Sequence, residues 1–436
     1  MVEHERRAGA RGSHVAERAP ELTSDAEETA RRALLAQAIP DAGEDTPLAR
    51  QAAEDARRRI RLRGRTLPKP DRTRVLTVAN QKGGVGKTTS AVNLAAALAQ
   101  CGLQVLVLDV DPQGNASTAL GVAHEDRTPG TYEVLVDGLP LSEAVRPCPD
   151  VRGLEVCPAS IDLAGAEMEL AQEPDMVARV SLLKTALADH VADREAQGRP
   201  RLDYVLLDCP PSLGLITLNA LVAAREVLIP IQCEYYALEG LTQLRNNIGL
   251  VQRSLNPVLE ISTILLTMFD ARTRLAREVA DEVRRAFPDR VLETSIPRSV
   301  RISEAPSHGE TVMTYDPGNS GALSYLQAAR ELSESHEARV RQAAEASEAV
   351  AADQPAQAPD EGPDPVLEAP VLEPAAVERP DEPEAPEEQD GPEERPEPQG
   401  GPSDVVDLRT GPLDLRGSWT PDRSTRGQRR AAGGRS

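Results

Sequence analysis

The segment Gln81–Thr89, QKGGVGKTT, limits what this chain can fold into more than any other. The run before it, Arg74 to Asn80, is apolar and β-branched and reads as a buried strand. The run after it, Thr89 to Gly102, carries alanine and leucine at helical spacing and stops at a Cys–Gly pair, so it reads as a helix. A glycine turn between a strand and a helix N-terminus is an anion site: backbone N–H groups point at the ligand, and the helix dipole favours negative charge. In such a loop Lys87 reaches the β- and γ-phosphates and the Thr88 hydroxyl ligates Mg²⁺. Lys82, Gly83, Gly84, Val85, Gly86, Lys87, Thr88 and Thr89 are therefore expected to bind a nucleotide. The pattern G-x-x-x-x-G-K-[ST] is incomplete, because Gln81 stands where its first glycine falls. Lys82 is surplus to a phosphate loop and needs a role of its own.

The chain has 436 residues and a formal net charge of −21, but the charge is unevenly spread. Residues 351–400 hold 16 Asp and Glu, 2 Lys and Arg and 12 Pro, so this one segment carries 14 of the 21 surplus negative charges. Such a stretch has too little apolar surface to offset the entropy of ordering and is expected to be disordered. Residues 1–72 are polar and include the basic run RRRIRLRGRTLPKP (57–70), with a short helix expected around residues 25–38. The expected organisation is an N-terminal arm (1–72), a globular domain (73–336) and an acidic Pro-rich tail (337–436). Neither a signal-peptide region nor an uninterrupted apolar span of about 18 residues is visible, so a cytoplasmic protein is expected. The five cysteines lack metal or disulfide spacing.

Within the globular part, strand-like runs recur with helical stretches between them: 104–111, 202–210, 226–232, 261–270 and 290–297. Fully apolar strands alternating with helices predict an α/β fold with a mainly parallel central sheet covered on both faces. Ligands in such sheets sit outside the carboxyl ends of the strands. VLVLDVDPQGNAS ends a strand with Asp109 and Asp111 on one face, and YVLLDCPPS ends another with Asp208. One carboxylate can hold Mg²⁺ or its water shell while another positions an attacking water. Together these motifs specify an ATPase or a GTPase. No N-K-x-D tetrapeptide for reading guanine is present, which favours adenine.

KGGVGKTT, LDVDPQGNAS, LLDCPPSLG, LLTMFDART and IPRSVRISEAPSHG together resemble the ParA/Soj branch of the deviant Walker A P-loop ATPases, over about residues 74–332. The resemblance implies an ATP-dependent homodimer in which Lys82 crosses to the partner's ATP, Gly83 permits close approach and Asp111 serves hydrolysis. It implies catalytic roles for Lys82, Lys87 and Asp111, and a metal set of Thr88, Asp109 and Asp208. Pro297 and Ser299 match the segment lying along adenine, with Ser299 where relatives usually carry asparagine. Arg272, Arg274, Arg298 and Arg301 supply cations for sequence-independent DNA binding, a role the resemblance assigns most directly to Arg272 and Arg301. The implied partners are non-specific double-stranded DNA and a ParB-like protein that stimulates slow hydrolysis, in a nucleoid-associated protein that segregates chromosome or plasmid DNA. A MinD-like membrane-associated ATPase is the alternative; it wants an amphipathic C-terminal helix, whereas the chain ends in the basic STRGQRRAAGGRS. Reductases and amide ligases share the loop and form a third class.

Overall fold

The computed structural model describes residues 25–37, 47–62, 64, 66–124 and 128–352. Seven strands form one sheet: β1 (Arg74–Val78), β2 (Val105–Asp109), β3 (Arg146–Pro147), β4 (Leu154–Cys157), β5 (Tyr204–Asp208), β6 (Glu226–Gln232) and β7 (Glu260–Thr267). Their order is β3-β4-β2-β5-β1-β6-β7, and every pairing is parallel except the short β3 on β4. The fold class is thus the expected α/β sheet. Most of its strands are buried on both faces, which is why they appear in the sequence as unbroken apolar runs.

Alternation along the strands divides the core in two. Leu76, Val78, Val107 and Leu206 pack against the helices Lys87–Gln100 and Ser320–Ala352. Leu108, Val205, Leu207 and Ile229 face the opposite layer, with the helices Met176–Ala196, Leu215–Ala223, Ala237–Ser254 and Arg274–Ala286. The helix Lys87–Gln100 ends as expected at Cys101, followed by Gly102 with φ +89°, the left-handed region that glycine enters without steric cost. N-terminal to β1 lie the helices Asp25–Gln37 and Pro47–Leu62; the first matches the helix expected around residues 25–38. The segment expected to be disordered, 351–400, lies outside the described residues apart from its first two. All five cysteines are free and buried.

One expected strand is corrected. Residues 290–297 make only isolated bridges, Val291 to Ile264 of β7 and Pro297 to Phe269 just beyond it. Leu292 and Ile296 donate to the β7 carbonyls of Ile264 and Leu266, but between them the Thr294 amide turns to the Glu331 carboxylate instead. The ladder is broken by a side-chain acceptor on the C-terminal helix.

At the amino edge of the sheet, Arg74 forms a buried clamp. Its Nε and Nη2 donate to the two carboxylate oxygens of Glu226 at 2.8 and 2.6 Å. Its Nη1 donates to the Tyr204 hydroxyl and to the Leu332 carbonyl, both at 2.9 Å. One guanidinium thereby ties β1 to β5, β6 and the C-terminal helix. Burial by itself would raise the Glu226 carboxyl, but the Arg74 hydrogen bonds and charge override it and hold the pKa below its ordinary 4.5. Glu226→Ala leaves a buried cation unpaired and should cost about 3–5 kcal/mol, read by urea unfolding at pH 7.5. A depressed carboxyl stabilises the fold above its unfolded pKa, so the gap between wild type and variant should narrow as the pH falls below 4.5 and through the folded value.

Candidate nucleotide site

The loop after β1 is held at three points. The Asn80 side-chain amide donates to the Pro230 carbonyl of β6 at 2.8 Å, and the Asn80 Oδ1 accepts from the Lys82 amide at 3.0 Å. Thr267, the last residue of β7, donates its hydroxyl to the Val85 carbonyl at 2.8 Å. Gly84 and Gly86 take φ of +72° and +87°, a turn that other residues would enter only with strain. Gly86 caps the helix Lys87–Gln100 without any side-chain acceptor, so no side chain caps the first-turn N–H groups. A Cβ at Gly83 or Gly84 would meet nothing within 4 Å, so this lip of the loop is open to close approach.

Lys87 is buried at the loop's exit, 3.5 Å from the Lys82 carbonyl. Burial lowers its pKa, while the charges of Asp208 and Asp111 pull it back up. The carboxylates arrive by register: in the parallel ladder Asp208 of β5 pairs with Val78 of β1 on one side and Asp109 of β2 on the other. The two aspartates have unlike surroundings. Asp109 accepts hydrogen bonds from the Ser117 amide at 2.8 Å, the Ser117 hydroxyl at 2.7 Å and the Asp111 amide at 3.2 Å. Burial outweighs these bonds and pushes its pKa up to about 6. Asp208 is fully buried, and neither of its oxygens meets a donor at good hydrogen-bond geometry, although the Thr88 hydroxyl is close enough to favour its charged form. Burial first, then the Asp109 charge, raise its pKa well above the usual carboxylate value, against the pull of Thr88 and Lys87. An orphaned buried carboxylate beside a threonine hydroxyl and a lysine is an unmet demand for a cation, and hard oxygen donors suit Mg²⁺. Asp111 lies two residues past the end of β2, mostly buried, with one oxygen accepting from the Gln113 amide at 3.0 Å.

Lys82 points away from this cluster. Its ammonium pairs with Glu234, just past β6, at 2.5 Å, with both side chains close to half exposed. Tyr235 and Tyr236 follow, both exposed, in edge-to-face contact. Glu234, Ser117, Asn80 and Thr267 are the contacts that sequence reasoning missed. Only Ser117 carried a signal, as the last residue of the PQGNAS turn.

Pro297 bridges Phe269 just beyond β7, which places 296–299 beside the strand that holds the loop at Val85. The Ser299 hydroxyl donates to Asn319 at 3.2 Å. The four arginines are exposed, and three already have acidic neighbours. Arg272 makes two 2.9 Å bonds to Asp270, pulling that carboxyl down to about 2. Arg274 pairs with Glu278 at 2.7 Å, and Arg301 with Glu304 at 3.2 Å and Asp316 at 3.6 Å. Arg298 has no such pair among the described residues.

Residues 73–261 match a family model described as an AAA domain. The chain is 49% identical over 259 residues to the sporulation initiation inhibitor protein Soj of Bacillus subtilis, an alignment covering 59% of this chain and 98% of that one. It is equally identical to the chromosome partitioning protein ParA of Myxococcus xanthus, over 59% of this chain and 87% of that one. Among solved structures, cobyrinic acid a,c-diamide synthase from Mycobacterium smegmatis with bound ADP and magnesium superposes with a TM-score of 0.50 at 38% identity, covering 60% and 94% of the two chains.

Asp208→Asn removes a carboxyl group whose ionisation is opposed by burial and by the Asp109 charge. It should raise the melting temperature of the nucleotide-free protein, by roughly 2–4 °C for each kcal/mol recovered, while abolishing the further rise that Mg²⁺ with ATP gives the wild type. A drop in the melting temperature without nucleotide would contradict the orphaned-carboxylate reading.

Proposed function

Because this chain belongs to the Soj/ParA family of chromosome-partitioning ATPases, we propose that it is an ATP-timed switch that dimerises on nucleotide, binds DNA without sequence preference and is reset by a ParB-like partner. It is a P-loop ATPase whose cofactors are ATP and Mg²⁺. The observation that carries the reading is the meeting of an open, uncapped glycine loop with the unpartnered Asp208 at one sheet edge. In this reading residues 73–336 are the ATPase domain, with the arm 1–72 before it and the tail 337–436 after it.

The loop amides of Gly83, Gly84, Val85 and Gly86 cradle the phosphates, and Lys87 meets the β- and γ-phosphates from below. Thr88 and Asp208 hold Mg²⁺, which when bound neutralises phosphate charge. Asp109, its oxygens already engaged by Ser117 and the Asp111 amide, steadies that set rather than entering it. Asp111 orients the attacking water. Thr89 adds a first-turn amide to the phosphate cradle, and Pro297 and Ser299 flank the base.

Lys82 is given to the partner subunit's ATP, where a cation lowers the cost of bringing two polyanionic nucleotides together. Dimerisation then requires Lys82 to leave Glu234. An exposed ion pair of this kind is worth about 0–1 kcal/mol, well within what a nucleotide phosphate can outbid. DNA phosphates exchange with Asp270, Glu278 and Glu304 for Arg272, Arg274 and Arg301 by the same logic, and Arg298, whose charge also acts on Asp270, has no close ion pair among the described residues. The membrane-associated alternative rests on the C-terminal stretch, which lies outside the described residues; among those described, no helix is long and apolar enough to cross a membrane.

Lys82→Ala should bind ATP normally and lose the ATP-dependent dimer, read by sizing with ATP; a normal dimer would remove Lys82 from the switch. Asp111→Ala should bind ATP and persist as a dimer with turnover at least 100-fold down. DNA affinity, measured by anisotropy on unrelated duplexes, should need ATP. With about three phosphate contacts per subunit, its logarithm should fall against log salt with a slope near −5. Arg272→Glu with Arg301→Glu should eliminate that binding and leave basal ATP turnover intact. Equal DNA affinity with ATP, ADP and no nucleotide would end the switch model while leaving the ATPase standing.

A further inference from the structure

Away from the nucleotide edge, a groove of about 720 Å³ runs between the helix Met176–Ala196 and residues 134–142. The helix contributes Ala178, Ser181, Leu182, Thr185, Ala186 and Asp189. These fall three or four apart on one face and, with Asp193, span about 22 Å of helix. The facing wall is built from the short helices Thr131–Leu135 and Leu141–Ala144 and the turn between them, with Val136 and Leu139 half-buried along it. Asp189 and Asp193 stand exposed on the rim, and among the described residues no lysine or arginine lines the groove.

His190 lines this groove from within the protein. It is only 2% exposed, and neither ring nitrogen has a hydrogen-bond partner. A neutral imidazole carries one donor and one acceptor, and native proteins rarely bury both unmet. Burial, reinforced by Arg194, lowers the pKa of the ring, so it is the neutral form, with both demands, that sits here.

We propose that this groove is the docking site for a basic amphipathic helix of a partner protein. The partner lays an apolar stripe along Leu139, Leu182 and Ala186, sets lysines or arginines against Asp189 and Asp193, and brings a polar side chain to His190. Helices laid in grooves are recognised through anchors at such three- and four-residue spacing. The length of the strip suits a helix better than a compact small molecule, and the small side chains of Ala178, Ser181 and Ala186 allow close approach of a second helix axis.

The groove wall is bonded to the nucleotide edge. Thr131, the first residue of its leading helix, donates its hydroxyl to the Asp109 carbonyl at 2.6 Å and its amide to the Pro158 carbonyl at 2.8 Å. Asp109 ends β2, two residues before Asp111. A helix seated against Val134 and Val136 bears on the element fastened to that strand end, so occupancy of the groove alters ATP turnover. This coupling rests on the ATPase reading; the docking does not.

The test uses the full-length protein and a fluorescein-labelled 18-residue designed helix with leucine and alanine on one face and lysine on the other, beside a twin with glutamate for lysine. In about 0.15 M salt, where long-range attraction to an acidic protein is screened, the lysine peptide should bind saturably and the glutamate twin should not. Asp189→Lys with Asp193→Lys should weaken binding at least tenfold, as should Ala178→Trp, which fills the rim from an exposed position. His190→Leu should weaken binding while raising the melting temperature, a pairing that a purely structural histidine would not give. Asp281→Lys with Glu282→Lys, the same charge change elsewhere, should bind peptide as wild type does. ATP affinity should be unchanged in all of these variants, which separates failure here from failure of the nucleotide site. No saturable binding, equal affinity across groove and control variants, or capture of the glutamate twin would overturn the proposal. So would a change in sedimentation of the Asp189/Asp193 variant, which would mean that a second copy of this chain covers the groove. Saturating peptide should change the turnover number at least twofold; an unchanged turnover would overturn the coupling.

Discussion

The parallel ladder joining β2, β5 and β1 is the constraint on which the site depends. Its register sets Asp109, Asp208 and Val78 side by side, so that two carboxylates and the start of the glycine loop leave the sheet at one edge. A slip of one residue in β5 would turn Asp208 to the opposite face and put an apolar side chain in its place. The two core layers oppose that slip, because the apolar residues of the central strands are committed to one side or the other. The chemistry is therefore specified by packing far from it, and the loop needs only three further bonds, from Asn80 and Thr267, to hold its shape.

Within that edge, similar residues are given different work by their neighbours. Asp109 and Asp208 sit opposite each other, yet Ser117 donates twice to one carboxylate while the other has no donor at good geometry. Lys82 and Lys87 are five residues apart in one loop, yet one is buried against carboxylates and the other reaches outward to Glu234. Burial makes Asp208 and Lys87 costly without a ligand. Exposure makes the Lys82 contact cheap to exchange.

Much of this was legible in the chain. Strands buried on both faces announce themselves as apolar runs, so β1, β2, β5, β6 and β7 could be placed from sequence, β6 to the residue. The segment 290–297 has the alternation of a strand and was misread, because the acceptor that breaks its ladder, Glu331, lies 37 residues away. Leu154–Cys157, four residues long, is too short to stand out, though it is the strand that carries the sheet beyond β2. The same limit applies to the site. The loop and the aspartates are local motifs. The partners that distinguish Asp109 from Asp208, or that hold Lys82, come from turns and strand ends brought together only by the fold. His190 gave no signal at all, since a histidine on a helix looks the same whether or not its ring finds partners.

The buried Arg74 clamp has a consequence for the order in which this protein can be made. Its partners Tyr204, Glu226 and Leu332 lie 130, 152 and 258 residues further along the chain. At the usual rate of synthesis, about 5–20 residues per second, the last of them leaves the ribosome some 13–50 s after Arg74 does. β1, which ends in the middle of the sheet between β5 and β6, waits about 7–26 s for the first of these neighbours and about 8–30 s for the second. The strand that launches the nucleotide loop is thus among the first pieces made and the last to be enclosed. The nascent chain must keep an apolar segment with two bare edges out of contact with other chains until β5 and β6 arrive, and its clamp stays open until Leu332 follows.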